Sequence, residues 1–348
     1  MIAWLFGEKS EIIHAERRKA AAMPPISEIF EESFSGDFEE HFLDTFPRRE
    51  TFRTIDAAFR KNALQQRDIN GIYKEGEHLS KIESPLDEAA TLHAAKKISE
   101  IAQMAEKAYL CIIPDKNYFL YKEKNYPHTD YEKMMSLLLS NTENAEYINI
   151  FDTLTIDNYY KTDTHWRQET LLPVAAKILE QMGNDTQTTL LSDVAYYGYA
   201  PTEYKNFYGV YASQSAFNTS PETLITLTSE NISSAAVTSA EDKGTFPVYQ
   251  SEKFEGNDSY DVFLGGAKAL LDIKRPLKEG ETEKKLVLFR DSFGSSIAPL
   301  FLENYNHITL VDLRYLSSKL LPEFVDFENS DVLFLYNTQI INNGYLLK

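Results

Sequence analysis

The stretch "EKKLVLFRDSFGSSIAPLFLENY", residues 283–305, contains the strand-to-helix turn that decides the fold. Its apolar run ends at Phe289, a polar turn follows, and a segment of helical character begins near Gly294. A short continuous apolar run is typical of a buried parallel strand. Ligands bind at the carboxyl ends of such strands in open α/β sheets, so the turn is predicted to hold Ser292 at the edge of a binding cleft.

Four further apolar runs repeat this pattern along the chain. They are "KAYLCIIP" (107–114), "EYINIFD" (146–152), "HITLVDLRYL" (307–316) and "DVLFLYNTQI" (331–340). Helical spacers separate such runs, and one of these spacers begins near Leu86. Alternating strands and helices predict an α/β domain built on a doubly wound parallel sheet.

The same pattern divides the chain into an N-terminal helical segment, residues 1–65, packed on an α/β domain of residues 66–348. The N-terminal segment contains "RRKAAAMPPISEIF" (17–30) and "HFLDTFPRRETFRTIDAAFRKN" (41–62). In the second piece Phe52, Ile55 and Phe59 stand at helical spacing, with basic residues between them. These basic residues face either solvent, which is the favoured interpretation, or a membrane surface.

Residues 185–280 have a different composition from the rest of the α/β domain. They are rich in Tyr, Ser, Thr, Asn and Gly and show no long helical period, which predicts a β and loop insertion over the edge of the sheet. The aromatic part of this insertion is "AYYGYAPTEYKNFYGVYASQSAF" (195–217). Its tyrosines either fill a small irregular core or form a platform for a ligand, and the sequence favours neither.

The overall charge and the cysteine content exclude several classes of function. A formal net charge of −18 argues against nucleic-acid binding and makes a strongly anionic polymer a harder substrate. The single cysteine, Cys111, rules out a disulfide within the chain, and its apolar neighbours predict a buried thiol. No zinc-ligand spacing is present in the sequence.

The chain begins with the apolar run of "MIAWLFGEKSE" (1–11). No run of about 18 apolar residues exists, so nothing in the sequence as it stands is long enough to span a membrane. We interpret the start as the tail of a removed signal-anchor helix, with a short native helix as the alternative.

The motif "KTDTHW" (161–166) contributes an acid and a histidine. A serine hydroxyl needs a histidine to take its proton, and that histidine needs an acid to fix its tautomer. Asp163, two residues before His165, can reach Nδ1 and leave Nε2 free for Ser292. Taken singly, Ser292 fits an N-cap, and Asp163 or Thr164 fits a cap of the following helix. Together the three residues predict a catalytic triad.

The surroundings of the triad are less clearly marked in the sequence. The backbone N–H of Ser292 is the first predicted donor to an oxyanion. Gly209, in "NFYGVY", is a candidate for the second donor, because glycine allows close approach of the backbone to a ligand. Tyr208 and Arg290 are further candidates for oxyanion or substrate binding.

With "KTDTHW" followed by "RDSFG" (290–294), the sequence resembles the DHHW group of SGNH-hydrolase-like proteins, to which the alginate O-acetyltransferases AlgJ and AlgX are related. The resemblance extends over "HAERRKAAAMPP" (14–25), "NGIYKEGEHLSK" (70–81), "IIPDKNYFLY" (112–121) and the two C-terminal strand candidates. Two positions depart from the pattern: Thr164 stands where the group has His, and Arg290 stands where the acetyltransferases have Gly.

The resemblance implies an extracytoplasmic protein, membrane-anchored at the cell surface through an N-terminal segment absent or truncated here. It implies O-acetyl transfer to a cell-surface or exported polysaccharide through an acyl-serine intermediate, with a membrane O-acyltransferase partner as acyl donor. No metal or organic cofactor is needed for this chemistry. The alternatives are a carbohydrate O-acetyl esterase, a catalytically silent glycan-binding member of an acetylation complex, and a lipase-like hydrolase acting on small esters.

Overall fold

The computed structural model of the protein describes residues 12–13, 18–184 and 198–348. Its strands are β1 (Ile12–Ile13), β2 (Arg18–Lys19), β3 (Asp68–Ile69), β4 (Ile72–Glu75), β5 (His78–Lys81), β6 (Lys107–Ile113), β7 (Glu146–Ile148), β8 (Ala200–Phe207), β9 (Glu222–Thr228), β10 (Ala236–Ser239), β11 (Thr245–Phe246), β12 (Leu270–Lys274), β13 (Lys285–Arg290), β14 (His307–Val311) and β15 (Ser330–Asn337). Its α-helices are α1 (Phe34–Asp44), α2 (Arg49–Asn62), α3 (Glu88–Ala102), α4 (Lys116–Lys124), α5 (Tyr131–Ser140), α6 (Leu172–Gln181), α7 (Val210–Ser215), α8 (Glu230–Ser234), α9 (Gly294–Ile297), α10 (Leu321–Phe324) and α11 (Thr338–Asn342). Among these described helices, none combines the length and the apolar character that crossing a bilayer requires.

The core of the domain is an eight-stranded sheet in the order β11-β10-β12-β14-β13-β15-β6-β7. The five strands from β14 to β7 run parallel, and they are the five apolar runs of the sequence. Beyond β14, strands β12, β10 and β11 pair antiparallel. The predicted doubly wound α/β fold is therefore confirmed, with a mixed sheet in place of a purely parallel one.

Helices cover both faces of this sheet. Because successive side chains of a strand point to opposite faces, Leu286 and Leu288 of β13 pack on the side of α6, whereas Val287 and Phe289 pack on the side of α3 and α5. The buried runs of the parallel strands are apolar at nearly every position for this reason, with Thr309 of β14 as an exception. The carboxyl ends of β6, β13 and β15 consequently meet at one edge of a rigid layer.

Cys111 lies in the middle of β6, at the centre of the sheet. Its side chain is buried in the apolar cluster on the α6 face, and burial raises the pKa of its thiol well above the ordinary range. The predicted buried thiol is confirmed, and a thiol held in its protonated form in this environment is unreactive.

The N-terminal part of the chain contains less helix than its sequence suggested. Residues 18–30 hold β2 and a 3-10 turn at Ile26–Glu28, because the consecutive prolines Pro24 and Pro25 interrupt helical hydrogen bonding. The sequence "MIAWLFGEKSE" lies outside the described residues.

Helix α2 packs on the body of the protein through an unexpected face. Ala57 is buried against the β3-β4-β5 sheet and α7, and Arg53 donates a hydrogen bond to the carbonyl oxygen of Ser213 at 2.8 Å. Phe52, Ile55 and Phe59, the apolar residues at helical spacing, are exposed instead.

The region predicted as an insertion is described from residue 198 onward, and residues 185–197 lie outside the described part. Strands β8 and β9 form a two-stranded ribbon, while β10, β11 and β12 extend the central sheet instead of lying over its edge. Among its tyrosines, Tyr199 and Tyr211 are buried and Tyr208 is 52% exposed. Tyr260 is also buried, and the half-buried Tyr204 and Tyr249 pack against the same cluster of core residues.

Candidate active site

Ser292 lies in the turn that follows β13. The buried carboxylate of Asp291 fixes this turn: Oδ1 accepts the backbone N–H of Phe293 at 2.9 Å, and Oδ2 accepts that of Asn337, at the end of the neighbouring strand β15, at 2.7 Å. Burial raises the pKa of Asp291, and the two N–H donors act in the opposite direction by stabilising the carboxylate. The turn is thus held to the sheet on both sides, and the half-buried Ser292 side chain emerges at its carboxyl edge.

His165 and Asp163 meet Ser292 at this edge. Ser292 Oγ lies 2.8 Å from His165 Nε2, and His165 Nδ1 lies 2.6 Å from Asp163 Oδ1. The same carboxylate oxygen accepts the backbone N–H of His165 at 2.9 Å. Asp163 and His165 are almost completely buried, at 0% and 2% exposure. The structure therefore brings the three residues predicted as a triad into one hydrogen-bonded chain.

The alternative interpretation of the motif as a helix cap is wrong. Helix α6 begins only at Leu172, eight residues after Thr164, and has no side-chain N-cap. Asp163 instead accepts hydrogen bonds from His165 and, through Oδ2, from the backbone N–H of Val210 at 2.8 Å.

Aromatic residues hold the imidazole in place. The ring of Tyr260 stacks on His165 with centroids 3.8 Å apart and planes inclined by 7°. The Tyr260 hydroxyl donates to Ser296 Oγ at 2.8 Å, and Trp166 Nε1–H donates to the same oxygen at 2.9 Å and to the carbonyl oxygen of Phe293 at 3.0 Å. The tryptophan of the motif thus ties the histidine loop to the serine turn.

A buried lysine supports the loop that carries the acid. Lys116, at the start of α4, donates through Nζ to the carbonyl oxygens of Tyr160 at 2.7 Å, Lys161 at 3.1 Å and Asp163 at 2.9 Å. Three acceptors match the three protons of an ammonium group. Burial lowers the pKa of Lys116 to about 7. This cation therefore fixes the backbone from which Asp163 projects.

The structure corrects the prediction that Gly209 donates to an oxyanion. Its backbone N–H is already donated to Thr162 Oγ1 at 3.0 Å. A Cβ at this position would lie 2.4 Å from the N, Cα and Cβ atoms of Asp163. A side chain at position 209 would displace the carboxylate of Asp163, and this is why a glycine is needed there. The Gly209 backbone therefore packs closely against Asp163 and not against a ligand.

Arg290 also differs from its predicted role. Its side chain is completely buried, and its Nη1 lies 3.9 Å from Asp312 Oδ2 and 3.4 Å from the carbonyl oxygen of Asp291. Arg290 also packs against Gly294, where a Cβ would lie 2.5 Å from Arg290 Cβ. It supports the serine turn from beneath and does not face the cleft.

Tyr208, the third candidate for oxyanion or substrate binding, lines a cavity of about 640 Å³. Other lining residues are Lys205, Val210, Phe217, Phe254 and Ser259. Val210 is the residue whose N–H holds Asp163, and Ser259 precedes the tyrosine that stacks on His165. The cavity thus borders Val210, which holds the acid, and the residue that precedes Tyr260.

Sequence analysis missed Lys116, Tyr260 and Ser296. Lys116 follows the carboxyl end of β6, so the rule that sites form at strand ends was a signal for it. Tyr260 and Ser296 carry no such signal, because only the tertiary fold brings them to the histidine. Among the described residues, no group of three or more His, Cys, Asp or Glu side chains is arranged to hold a metal ion.

We expect Gly209→Ala to lower ester turnover by one to two orders of magnitude without unfolding the protein. The new methyl group must push Asp163 away from His165, and small misplacements of this kind cost about 10²-fold in rate. Turnover of a chromogenic acetyl ester measures the effect. Gly36→Ala is the matched control, because a Cβ there meets nothing within 4 Å. Equal activity of the two variants would contradict the assignment.

Lys116→Met should destabilise the protein by about 3 kcal/mol, because three buried carbonyl oxygens lose their donor. Thermal unfolding monitored by circular dichroism gives the loss of stability, and ester turnover should fall with it. Lys122→Met, at an exposed position of the same helix, is the control. A Lys116→Met variant as stable as this control would show that the ammonium does not hold the loop.

The described residues thus form a doubly wound α/β sheet with serine, histidine and aspartate joined at its carboxyl edge. No protein-family model and no curated protein matches the sequence. Solved structures do match the fold, and they agree with the predicted resemblance.

A DHHW family protein from Eubacterium siraeum DSM 15702 matches with a TM-score of 0.61 at 15% identity, over 79% of this chain and 92% of that chain. PatB1 from Bacillus cereus matches with a TM-score of 0.61 at 18% identity, over 80% and 98% of the two chains. A PatB1 structure that carries a sulfonyl adduct matches with a TM-score of 0.63 at 18% identity, over 81% and 99%. These similarities show that the chain has the fold of the DHHW protein and of PatB1.

Proposed function

We propose that the protein is an extracytoplasmic O-acetyltransferase that acetylates a cell-surface or exported polysaccharide. The observation that carries the proposal is the chain of contacts from Ser292 Oγ to His165 Nε2, 2.8 Å, and from His165 Nδ1 to Asp163 Oδ1, 2.6 Å. A serine becomes a nucleophile when a neighbouring base takes its proton, and the base works when an acid fixes its tautomer.

In the first half of the proposed reaction, Ser292 Oγ attacks the carbonyl carbon of an acetyl ester while its proton passes to His165 Nε2. The backbone N–H of Ser292 donates to no acceptor in the described part of the chain, so it is free to bind the oxyanion of the tetrahedral intermediate. The intermediate collapses with cleavage of the bond to the donor alcohol. That alcohol leaves with the proton from His165, and acetyl-Ser292 remains.

In the second half, a sugar hydroxyl gives its proton to His165 Nε2 and attacks the acetyl carbon. Collapse of the second tetrahedral intermediate breaks the bond to Ser292 Oγ, which recovers its proton from His165. Throughout, Asp163 stabilises the charged imidazolium without taking a proton itself. When water replaces the sugar hydroxyl, the same steps give acetate, and the enzyme is an esterase.

The cavity lined by Tyr208 supports an acceptor of carbohydrate character. Its aromatic rings, among them Phe217 and Phe254, offer flat apolar surfaces, and its Asn, Ser and Thr side chains offer hydrogen bonds to hydroxyl groups. A net charge of −18 makes a neutral glycan a better acceptor than a strongly anionic one. We further propose membrane anchoring at the cell surface and a membrane O-acyltransferase as donor, as the resemblance to the DHHW group implies.

The test is to incubate the protein with p-nitrophenyl acetate, with and without neutral cello- and chito-oligosaccharides. A transferase forms acetyl-Ser292, seen by intact mass spectrometry, and transfers the group to sugar, seen as an acetylated oligosaccharide. Because PatB1 forms a sulfonyl adduct, a sulfonyl fluoride that labels Ser292 and blocks turnover is the matching inhibitor.

Three outcomes separate the proposal from its alternatives. Acetylated sugar supports the transferase, whereas acetate released in proportion to nitrophenol with no sugar ester supports the esterase. A protein that forms neither adduct nor product but still binds the oligosaccharides is a glycan-binding protein, and the proposal is then wrong.

A further inference from the structure

A stripe of large apolar side chains lies on the outer side of α2. Phe52, Ile55 and Phe59 are 58%, 59% and 57% exposed. At 3.6 residues per turn they fall within about 60° of one another, and the buried Ala57 lies about 170° from the centre of the stripe. The stripe therefore points directly away from the protein body. We call Phe52, Ile55 and Phe59 the α2 stripe.

The apolar surface continues from α2 towards α1. Phe46 meets Phe52 with ring centroids 5.8 Å apart, and Phe42 meets Phe46 at 5.6 Å. Phe38 lies one helical turn further along α1. Of the eighteen exposed large hydrophobic side chains among the described residues, nine lie between Met23 and Leu64. Such a concentration marks an interaction site, because scattered single residues are the norm on protein surfaces.

The charge of α2 is opposite to that of the whole protein. Residues 48–61 hold five basic and two acidic side chains, whereas the chain carries a net charge of −18. Arg48 is exposed and stands at the N-terminal end of the stripe. Arg60 stands at the C-terminal end, 44% exposed in its side chain and paired with Asp56 at 2.8 Å. Glu50 and Asp56 offset part of this charge by pairing with arginines, and the segment keeps a net positive charge. A net basic helix with an apolar stripe complements an anionic surface with an apolar interior.

From these observations we infer that α2 binds flat on the surface of an anionic lipid bilayer, with the α2 stripe inserted among the acyl chains and the arginines at the phosphate groups. A strongly amphipathic helix of low overall hydropathy with basic residues beside its apolar face is the sequence type that binds bilayer interfaces. A protein of net charge −18 is repelled by an anionic membrane as a whole. Anionic lipids can still attract the basic α2, because the acidic remainder of the protein faces away from the membrane. The inference does not depend on the chemistry proposed for Ser292.

Co-sedimentation of the full chain with lipid vesicles tests the inference. We expect binding to vesicles of phosphatidylglycerol and phosphatidylcholine that decreases at high salt, and weaker binding to vesicles of phosphatidylcholine alone. The triple variant Phe52→Ser, Ile55→Ser, Phe59→Ser should lower the partition coefficient by at least about tenfold. Arg48→Gln with Arg60→Gln should remove most of the preference for phosphatidylglycerol.

The matched control is Leu277→Ser, Tyr315→Ser, Phe324→Ser. These side chains are 52%, 55% and 53% exposed and lie elsewhere on the surface, so the control should bind as the wild type does. All variants keep residues 1–11 unchanged, and circular dichroism verifies that they are folded. The inference is overturned if wild type and stripe variant bind alike, or if the wild type binds no vesicle. Binding to native membranes but not to pure lipid would make a membrane protein the partner and would equally overturn it.

Discussion

Ser292→Ala should form no acetyl adduct with p-nitrophenyl acetate and should lose ester turnover by roughly 10⁴- to 10⁶-fold. The reason is geometric: Ser292 Oγ is the hydroxyl that lies 2.8 Å from His165 Nε2, so its removal leaves the base without a nucleophile to activate. Intact mass spectrometry detects the adduct directly, and release of nitrophenol gives the rate.

Ser295→Ala provides the control for this prediction. Ser295 lies in α9, directly after the serine turn, and is buried. Its backbone N–H donates to the carbonyl oxygen of Ser292, and a substitution by alanine retains this bond. We expect the Ser295→Ala variant to form the acetyl adduct on Ser292 in the same yield as the wild type. An adduct of the same yield on Ser292→Ala would mean that another group is the nucleophile, and the proposed mechanism would have to be abandoned.

Asp163→Asn should lower the rate by about 10⁴-fold while leaving the fold intact. The carboxylate accepts from His165 through one oxygen and from the Val210 N–H through the other. An amide has a single acceptor oxygen, so its NH₂ group must face one of these donors. If it faces His165, the imidazole carries its proton on Nε2 and cannot accept one from Ser292. If it faces Val210, the loop loses a buried hydrogen bond.

Thr164→Val is the control within the same motif. The Thr164 hydroxyl accepts a hydrogen bond from the Tyr211 hydroxyl at 3.0 Å and makes no hydrogen bond to the side chains of the proposed triad. A rate within a few fold of the wild type is expected for this variant. If Asp163→Asn were no slower than Thr164→Val, the contact between Asp163 and His165 would be structural only.

The parallel part of the sheet was predictable because strands that are buried on both faces have nearly continuous apolar sequences. Strand β13 is such a run, and its end placed Ser292 correctly at the edge of the sheet. Strand β11 has two residues and β10 has four, with one side chain of β10 fully buried, so neither leaves a readable pattern. The antiparallel extension of the sheet therefore emerged only from the structure.

The contacts of the proposed triad were predictable, but the supports around it were not. A single residue between Asp163 and His165 suffices to bring the acid to the imidazole, so this contact is local. Gly209 and Lys116 act on the same loop from remote parts of the chain, and their roles depend on tertiary contacts. Arg290 was assigned to the cleft because it neighbours Ser292 in sequence, yet its side chain lies beneath the turn.

The orientation of α2 could not be predicted from the periodicity of its sequence. Periodicity identified Phe52, Ile55 and Phe59 as one face of a helix, and such a face normally packs inward. The body of the protein accepts the opposite face through the small side chain of Ala57. The spacing of apolar residues in the sequence shows that a helix has an apolar face. Whether that face packs inward or is exposed depends on the elements that the helix packs against.

The buried position of Cys111 makes the protein well suited to site-specific labelling. With the one native thiol sealed inside the sheet, maleimide reagents should leave the folded wild type unmodified. A cysteine introduced at exposed Thr51 of α2 would then carry a fluorophore or nitroxide at a single known position, without removal of the native residue. The depth of that probe below lipid phosphates would become directly measurable in the otherwise native protein.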